Sequence, residues 1–296
     1  MVGRRPEHGQ GEDPHLRVAG VGSAPGARVE TKPPNRVNAP LLTVDLGNTT
    51  CHARIFGGDR PRAAALPARE GLGSALAEWL DAGPVPRSAA VCAVGDAALE
   101  RELHALLTAR IATVAVDPDP GLHLDVRSPA TVGRDRLFAA RGALSLFAGP
   151  TIVVDAGTAL TVDAVTPEGP PGTVGTFLGG AIAPGPALLA EALARGGARL
   201  PMVAPRPGAA ALGKATEDAL AAGVGVGFEG TVLRLVERIA AECGFDAPRI
   251  ALTGGALEFA RGALIDSGRP VQVEPELVGL GLRAACDRST PRAGAR

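Results

Sequence analysis

The sequence predicts an α/β fold built twice over, and three observations predict it. Short apolar runs of strand character alternate with segments of helical period, the pattern of parallel pairing through crossover helices. The phrase LLTVDLGNTTCHARI, around Asp45, returns around Asp155 as TIVVDAGTALTVDAV: an apolar strand, Val-Asp, one residue, Gly, then Asn or Thr. Gly149-Pro150 punctuates the chain just before the second copy. Length agrees, since 296 residues fit two medium domains as well as one large one.

The elements follow in order. Residues 1–38 are rich in Gly, Pro, Arg and His without apolar period, and read as a disordered tail or an over-extended start. The first half is expected over 39–150. It opens with a buried strand at Leu41 to Val44, running into a glycine turn. Leu72, Leu76, Trp79 and Leu80 keep helical spacing, and Gly83-Pro84 stops that helix. AAVCAV, from Ala89, reads as a strand. Asp96 suits an N-cap for a helix with the stripe Leu99, Leu103, Leu106 and Leu107. IATVAV, from Ile111, reads as the next strand. The second half is expected over 151–288, with a C-terminal tail over 289–296. It holds a long helix from Thr216 to about Cys243, with the stripe Leu220, Val224, Phe228, Val232, Leu235 and Ile239. Gly223, Gly225, Gly227 and Gly230 each cost that helix roughly 1 kcal/mol against Ala. They imply either close approach of another backbone, such as a partner subunit's, or a broken helix.

Composition bounds the function. Hydrophobic residues are 46% and aromatics 3%, with no tyrosine, so the core must be aliphatic. A net charge of −1 gives no overall field for nucleic acid or anionic lipid. No apolar run of spanning length and no signal-like N-terminal segment is found, so no membrane partner is expected and the cytoplasm is the expected compartment. Cys51, Cys92, Cys243 and Cys286 form no CxxC pair and read as reduced and mostly buried. The five histidines form no cluster, which predicts no zinc site.

Chemistry concentrates in the glycine phrases. A strand ending in Asp-x-Gly-Asn/Thr suits a phosphate tail: glycine admits close backbone approach, and backbone N–H groups with the hydroxyls of Thr49, Thr50 and Thr158 can donate to phosphate oxygens. The aspartate can hold a hydrated Mg2+. LTGGALEFA supplies a third such turn, where Gly254 and Gly255 precede a helix that could seat an adenosine or α-phosphate. GxxxxGK[ST] is absent, so this is not a P-loop protein. TVGRDRLFAA sets Arg134, Asp135 and Arg136 at the mouth of an apolar helix. By themselves they also fit an N-capping Asp between solvated arginines.

Three phosphate-type turns on a duplicated α/β pattern resemble the actin, Hsp70 and sugar-kinase superfamily, and within it the chain resembles the type III pantothenate kinases. The resemblance runs from about Leu41 to Leu282 and rests on DLGNTT, SPATVGRDR, VVDAGTALTVDAV, GGAIAPG, ARLP, GKATEDALAAGVGVG, LTGGA and PELVGLGL, in that order. It implies a duplicated ribonuclease H-like fold of two α/β domains with an interdomain cleft. It implies ATP-dependent phosphorylation of pantothenate, the first step of coenzyme A biosynthesis. By the same resemblance Asp135 is the general base. Asp45, Leu46, Gly47, Asn48, Thr49, Thr50, Cys51, His52, Thr158, Gly254 and Gly255 belong to the ATP site, with Asp45 toward Mg2+. Asp155 holds a monovalent cation, K+ or NH4+. Val126, Gly133, Arg134, Asp135, Arg136 and Thr216 face pantothenate, Arg136 on its carboxylate and Thr216 from across a homodimer interface.

The chain departs from the family pattern in places. Val126 stands where a tyrosine is common, Ala215 where an Asn precedes Thr216, CAVGD where a serine-rich turn is usual, and Arg134 where a small residue is usual. Arg134 is expected to compensate by reaching the substrate carboxylate beside Arg136. Two other readings stay open at this point: a catalytically weak, nucleotide-binding regulatory relative, and a kinase of the same fold acting on another small hydroxy acid.

Overall fold

The computed structural model describes residues 40–57 and 61–289. The expected tail over 1–38 lies outside the described residues, as does the C-terminal tail apart from Ser289, which ends the last helix.

Two sheets carry the described chain. In the first, β1 (Leu41–Leu46), β2 (Thr50–Phe56) and β3 (Arg62–Pro67) form an antiparallel meander. Helix α1 (Leu72–Asp81) then leads to β4 (Ser88–Ala93), and α2 (Ala97–Arg110) to β5 (Thr113–Val116). Both later strands pair in parallel, giving the order β3-β2-β1-β4-β5. Asp96 caps α2 as its sequence position predicts, accepting from the amides of Ala98 at 2.6 Å and Leu99 at 3.3 Å. After the two-residue strand β6 (His123–Leu124), α3 (Arg134–Leu146) leads into the second half.

The second sheet repeats the plan. Strands β7 (Thr151–Ala156), β8 (Ala159–Thr166) and β9 (Thr176–Pro184) form the meander. Helices α4 (Pro186–Gly196) and α5 (Thr216–Glu242) follow, then β10 (Arg249–Thr253), α6 (Glu258–Asp266), β11 (Val271–Val273) and α7 (Leu277–Ser289). Its order is β11-β10-β7-β8-β9-β6, with β10 and β11 parallel to β7. Apart from the added β6, this is the first sheet's topology, strand for strand. The repeated phrase in the sequence is a repeated fold.

Each half has its own aliphatic core. Leu42, Val44 and Leu46 pack with Leu72, Leu76 and Leu80 of α1 and Leu103 and Leu107 of α2. Ile152, Val154 and Leu160 pack with Phe228, Val232 and Val236 of α5 and Leu264 of α6. A third cluster lies between the sheets, where Phe138 and Ala143 of α3 meet Leu277 and Leu282 of α7, with Cys92 from one sheet and Val153 and Ala251 from the other. The expected halves, 39–150 and 151–288, are therefore interleaved. Strand β6 joins the second sheet, and α7 returns to pack on β1, β2 and β4 of the first.

Helices α3 and α7 cross at backbone distance. A Cβ at Gly142 would collide with the Leu277 carbonyl, and one at Gly281 with the Phe138 carbonyl. The long helix is unbroken, and its buried face shifts from the predicted stripe toward Val236 and Ala240 beyond Val232. Gly225 has the Arg206 carbonyl at 3.3 Å from where a Cβ would sit, while Gly223, Gly227 and Gly230 have open space there among the described residues. Glu229 and Arg234 interrupt the apolar run of α5, which by length and composition alone would be long and apolar enough to cross a membrane; here Phe228, Val232 and Val236 are spent in the core.

Candidate functional site

Strands β1 and β7 are equivalent, and each carries its aspartate as the last residue but one. Asp45 pairs across the sheet with Cys92 of β4, and Asp155 with Thr253 of β10, so both carboxylates stand at the carboxyl ends of parallel pairs, where open α/β sheets bind ligands. The hairpin turns that follow both open on a glycine whose amide bonds back across the turn, the second turn being one residue shorter. The Gly47 amide donates to the Thr50 carbonyl at 3.0 Å, and the Gly157 amide to the Ala159 carbonyl at 3.0 Å. The turns meet at their tips, with the hydroxyls of Thr49 and Thr158 2.9 Å apart. Between them opens a cleft of ≈ 970 Å³, lined by both aspartates, Asn48, Thr49, Thr158, Asp135, Gly254, Gly255 and Glu276. That is room for a nucleotide and a small acid together.

The third glycine phrase closes one wall. Gly254 has φ +96°, and a Cβ there would collide with the Ala156 carbonyl and Asp155 Oδ1. The Ala256 amide donates to that same carbonyl at 2.7 Å. The helix does not begin at the glycines, as the sequence suggested. A turn intervenes and α6 starts at Glu258, so Gly254 and Gly255 offer backbone rather than a helix end.

Electrostatics set the cleft apart. Its charged walls are Asp45, Asp135, Asp155, Glu191, Glu258 and Glu276, with neither Lys nor Arg among the lining residues. Burial, then the charges of Asp155, Asp135 and Glu276, push the Asp45 carboxyl up to about 8. Burial, then Asp135 and Asp163, push Asp155 up to about 7. Asp45 Oδ1 is buried without a hydrogen-bond partner among the described residues. A buried carboxylate without a partner is costly, and a cation relieves that cost. Among the described residues no three of His, Cys, Asp and Glu gather to hold one ion by themselves. Single carboxylates completed by water and phosphate oxygens, the usual manner of Mg2+, fit this donor set.

Asp135 enters the cleft from the first turn of α3 and accepts from the Arg136 amide at 2.8 Å. Its two neighbours turn elsewhere. Arg136 grips Asp163 of β8 with two N–H groups: Nε donates to Oδ2 at 3.1 Å and Nη2 to Oδ1. Gly180, opposite Asp163 on β9, leaves room for this pair, since a Cβ there would collide with Asp163 Oδ1. Arg134 is not among the cleft-lining residues. Its Nη2 donates to the carbonyls of Asp117 at 2.9 Å and Pro118 at 2.7 Å.

Other expected residues divide by strand parity. Thr50 and His52 line the cleft, while Leu46 and Cys51 are fully buried in the first core. Gly133 is the N-cap of α3. Val126 packs against the inter-sheet core and lies 3.5 Å from where a Cβ of Gly179 would sit. Thr216 opens α5, exposed and outside the cleft-lining set. Asp163 and Glu276 escaped the sequence reading. Asp163 did leave a signal, an acid within the apolar strand ALTVDAVT, which must be paired once buried.

This geometry meets its counterparts among known proteins. A family model described as type III pantothenate kinase matches residues 41–238. A type III pantothenate kinase from Parafrankia sp. (strain EAN1pec) is 35% identical over 265 residues, which cover 84% of this chain and 98% of the relative. One from Akkermansia muciniphila is 33% identical over 225 residues, covering 76% and 88%. Among solved structures, a protein ascribed as a 2-dehydro-3-deoxygalactonokinase from Sinorhizobium meliloti gives a TM-score of 0.53 at 20% identity, covering 86% of this chain and 98% of its own. At that identity the likeness speaks for the fold alone.

Proposed function

This chain belongs to the type III pantothenate kinase family, and from that premise we propose how its own residues divide the work. The enzyme uses ATP to phosphorylate pantothenate for coenzyme A biosynthesis. The convergence of Asp45, Asp135 and Asp155 with the paired glycine turns in one cleft carries the assignment that follows.

Asp135 is the general base. Phosphoryl transfer is mainly positioning and charge neutralisation, and it needs one carboxylate to orient the attacking hydroxyl and take its proton. Asp135 faces the cleft from the first turn of α3, outside the strand turns that receive phosphates, whereas Glu258, which also lines the cleft at a helix start, follows the glycine turn given to the nucleoside. Gly47, Asn48, Thr49 and Thr158 receive the phosphate chain through amides and hydroxyls, and Gly254 and Gly255 admit the nucleoside end. Arg136, paired with Asp163 and outside the cleft-lining residues, would orient the pantothenate carboxylate where the substrate extends past Asp135. Asp163 takes two of the five guanidinium N–H donors, leaving others for a ligand.

Six acidic walls without Lys or Arg cannot receive a polyphosphate unaided. Asp45 would hold Mg2+ and Asp155 a monovalent cation, K+ or NH4+; both carboxyls are raised by burial and acidic neighbours, and Asp45 Oδ1 has no hydrogen-bond partner among the described residues. When bound, these ions neutralise phosphate charge. ATP as co-substrate supports a cytoplasmic enzyme. The enzyme is a homodimer that brings Thr216 to the neighbouring site. Exposed Ile182, Met202, Leu212 and Val226 support that reading, being apolar surface that a second copy would cover.

Asp135→Asn tests the central role. Its kcat should fall by roughly 10²–10⁴ while ATP binding and the melting temperature hold. Wild-type turnover in that variant would remove Asp135 from the chemistry.

A further inference from the structure

We infer that Arg134 is a positioning residue, which straps the first turn of α3, and with it the Asp135 carboxylate, to the loop leaving β5. The inference rests on Asp135 being the base. It replaces the expectation that Arg134 meets the substrate.

Four observations carry it. Gly133, the N-cap of α3, offers no side chain to fasten that turn. One nitrogen of Arg134 reaches two successive carbonyls, of Asp117 and Pro118, at 2.9 and 2.7 Å. Nε lies 3.8 Å from Asp117 Oδ1, an ion-pair separation. The guanidinium lies over the buried ring of Phe138, one turn along the same helix, 5.1 Å from its centroid. A side chain held by carbonyls, charge and a ring has little freedom to swing toward a ligand.

The far end of the strap is itself fixed. Asp117 has φ +42°, a backbone that few non-glycine residues adopt but that Asp tolerates better than most. Its amide donates to the Val91 carbonyl of β4 at 2.8 Å. The connection therefore runs from the first sheet, through Asp117, to the helix start. On the other side of Asp135, Arg136 runs to Asp163 in the second sheet. The base sits between two arginines anchored in opposite halves of the molecule. Since proton acceptance needs hydrogen-bond reach, and a 1 Å displacement can cost about 10²-fold in rate, removing one anchor should reach the chemistry.

The test is steady-state kinetics on the full chain for wild type, Arg134→Ala, Arg134→Lys, Asp135→Asn and the double variant. Arg134→Ala should lower kcat roughly 10–100-fold with KM for pantothenate and ATP unchanged. Arg134→Lys should recover part of the loss, because an ammonium can donate to both carbonyls but cannot stack on Phe138 as a plane does. In the Asp135→Asn background, Arg134→Ala should cost nothing more, as expected of a group acting through Asp135. A raised KM with kcat intact would overturn the inference, placing Arg134 on the substrate. Equal losses in both backgrounds would also overturn it, by making Arg134 act independently of the base. If the alanine variant does not fold, a lysine variant with wild-type kcat decides against the strap. If Asp135→Asn turns over normally, the assignment of the base fails and the inference with it. If Asp135→Asn is crippled while Arg134→Ala is not, the inference alone fails.

Discussion

Asp45, the proposed Mg2+ ligand, shows how a carboxyl is held against its own preference. An isolated Asp titrates near about 3.9, whereas burial and its acidic neighbours push Asp45 up to about 8 in the cation-free protein. Between those values the folded state keeps a proton that the unfolded chain has released. The folded state binds more protons there, so stability falls as pH rises through that window. Cation-free protein in chelator should therefore melt at lower temperature at pH 8.5 than at pH 5. Asp45→Asn should lessen that slope, leaving the part due to Asp155, which is pushed up to about 7, and added Mg2+ should restore the wild type most at the higher pH. An unchanged slope in Asp45→Asn would mean that another group titrates. The same residue was legible in the sequence, because Val-Asp-x-Gly occurs twice and a carboxylate at a glycine turn has recognisable chemistry. Cys51 and Leu46 were carried along with the motif, although a strand's period of two turns them into the core. The partners of Arg134 and Arg136 were not legible. They lie 17 and 27 residues away, on a loop and a strand that no local pattern connects to the helix.

The elements repeat that division. Strands β4 and β10 and helices α1, α2 and α5 follow from apolar period, caps and stops, which are local signals. Strand β3, RAAALP, carries little strand propensity and owes its place to pairing with β2. The return of α7 to the first sheet is a long-range fact of topology, but the glycines of PELVGLGL hold a trace of it. Gly281 exists because the Phe138 carbonyl of α3 occupies the space of its Cβ, and Gly142 faces the Leu277 carbonyl in return. Alanine at either site gains roughly 1 kcal/mol of helix propensity and loses the crossing. A backbone carbonyl cannot rotate away as a side chain does, so the helices must part. Gly281→Ala should therefore cost a net ~1–3 kcal/mol in urea unfolding, the usual cost of overpacking. Because α3 carries Asp135, kcat should fall as well. Stabilisation by Gly281→Ala would show that the helices can separate freely.

At the scale of the whole molecule, three glycines of α5 remain without a reason among the described residues. Gly223, Gly227 and Gly230 have open space where a Cβ would sit, in a helix that would gain about 1 kcal/mol from alanine at each. They recur at intervals of four and three residues, so they share one face. Val226 is exposed beside them, and Ile182 and Met202 are 65% and 60% exposed elsewhere on this half. The proposed homodimer accounts for the glycines and Val226 if two copies approach through that face, since glycine is what lets helix backbones come close. It also accounts for Thr216, which starts the same helix outside its own chain's cleft. Gly227→Ala separates the possibilities with opposite signs. In a monomer the substitution meets nothing, and the melting temperature should rise. In a dimer joined through α5 the added methyl groups hold the helices apart, so sedimentation equilibrium should show a larger monomer fraction than wild type. Activity should then fall on dilution, through a raised KM for pantothenate as Thr216 leaves the partner's site. A variant that melts higher, sediments like wild type and keeps its KM would place the interface away from this face.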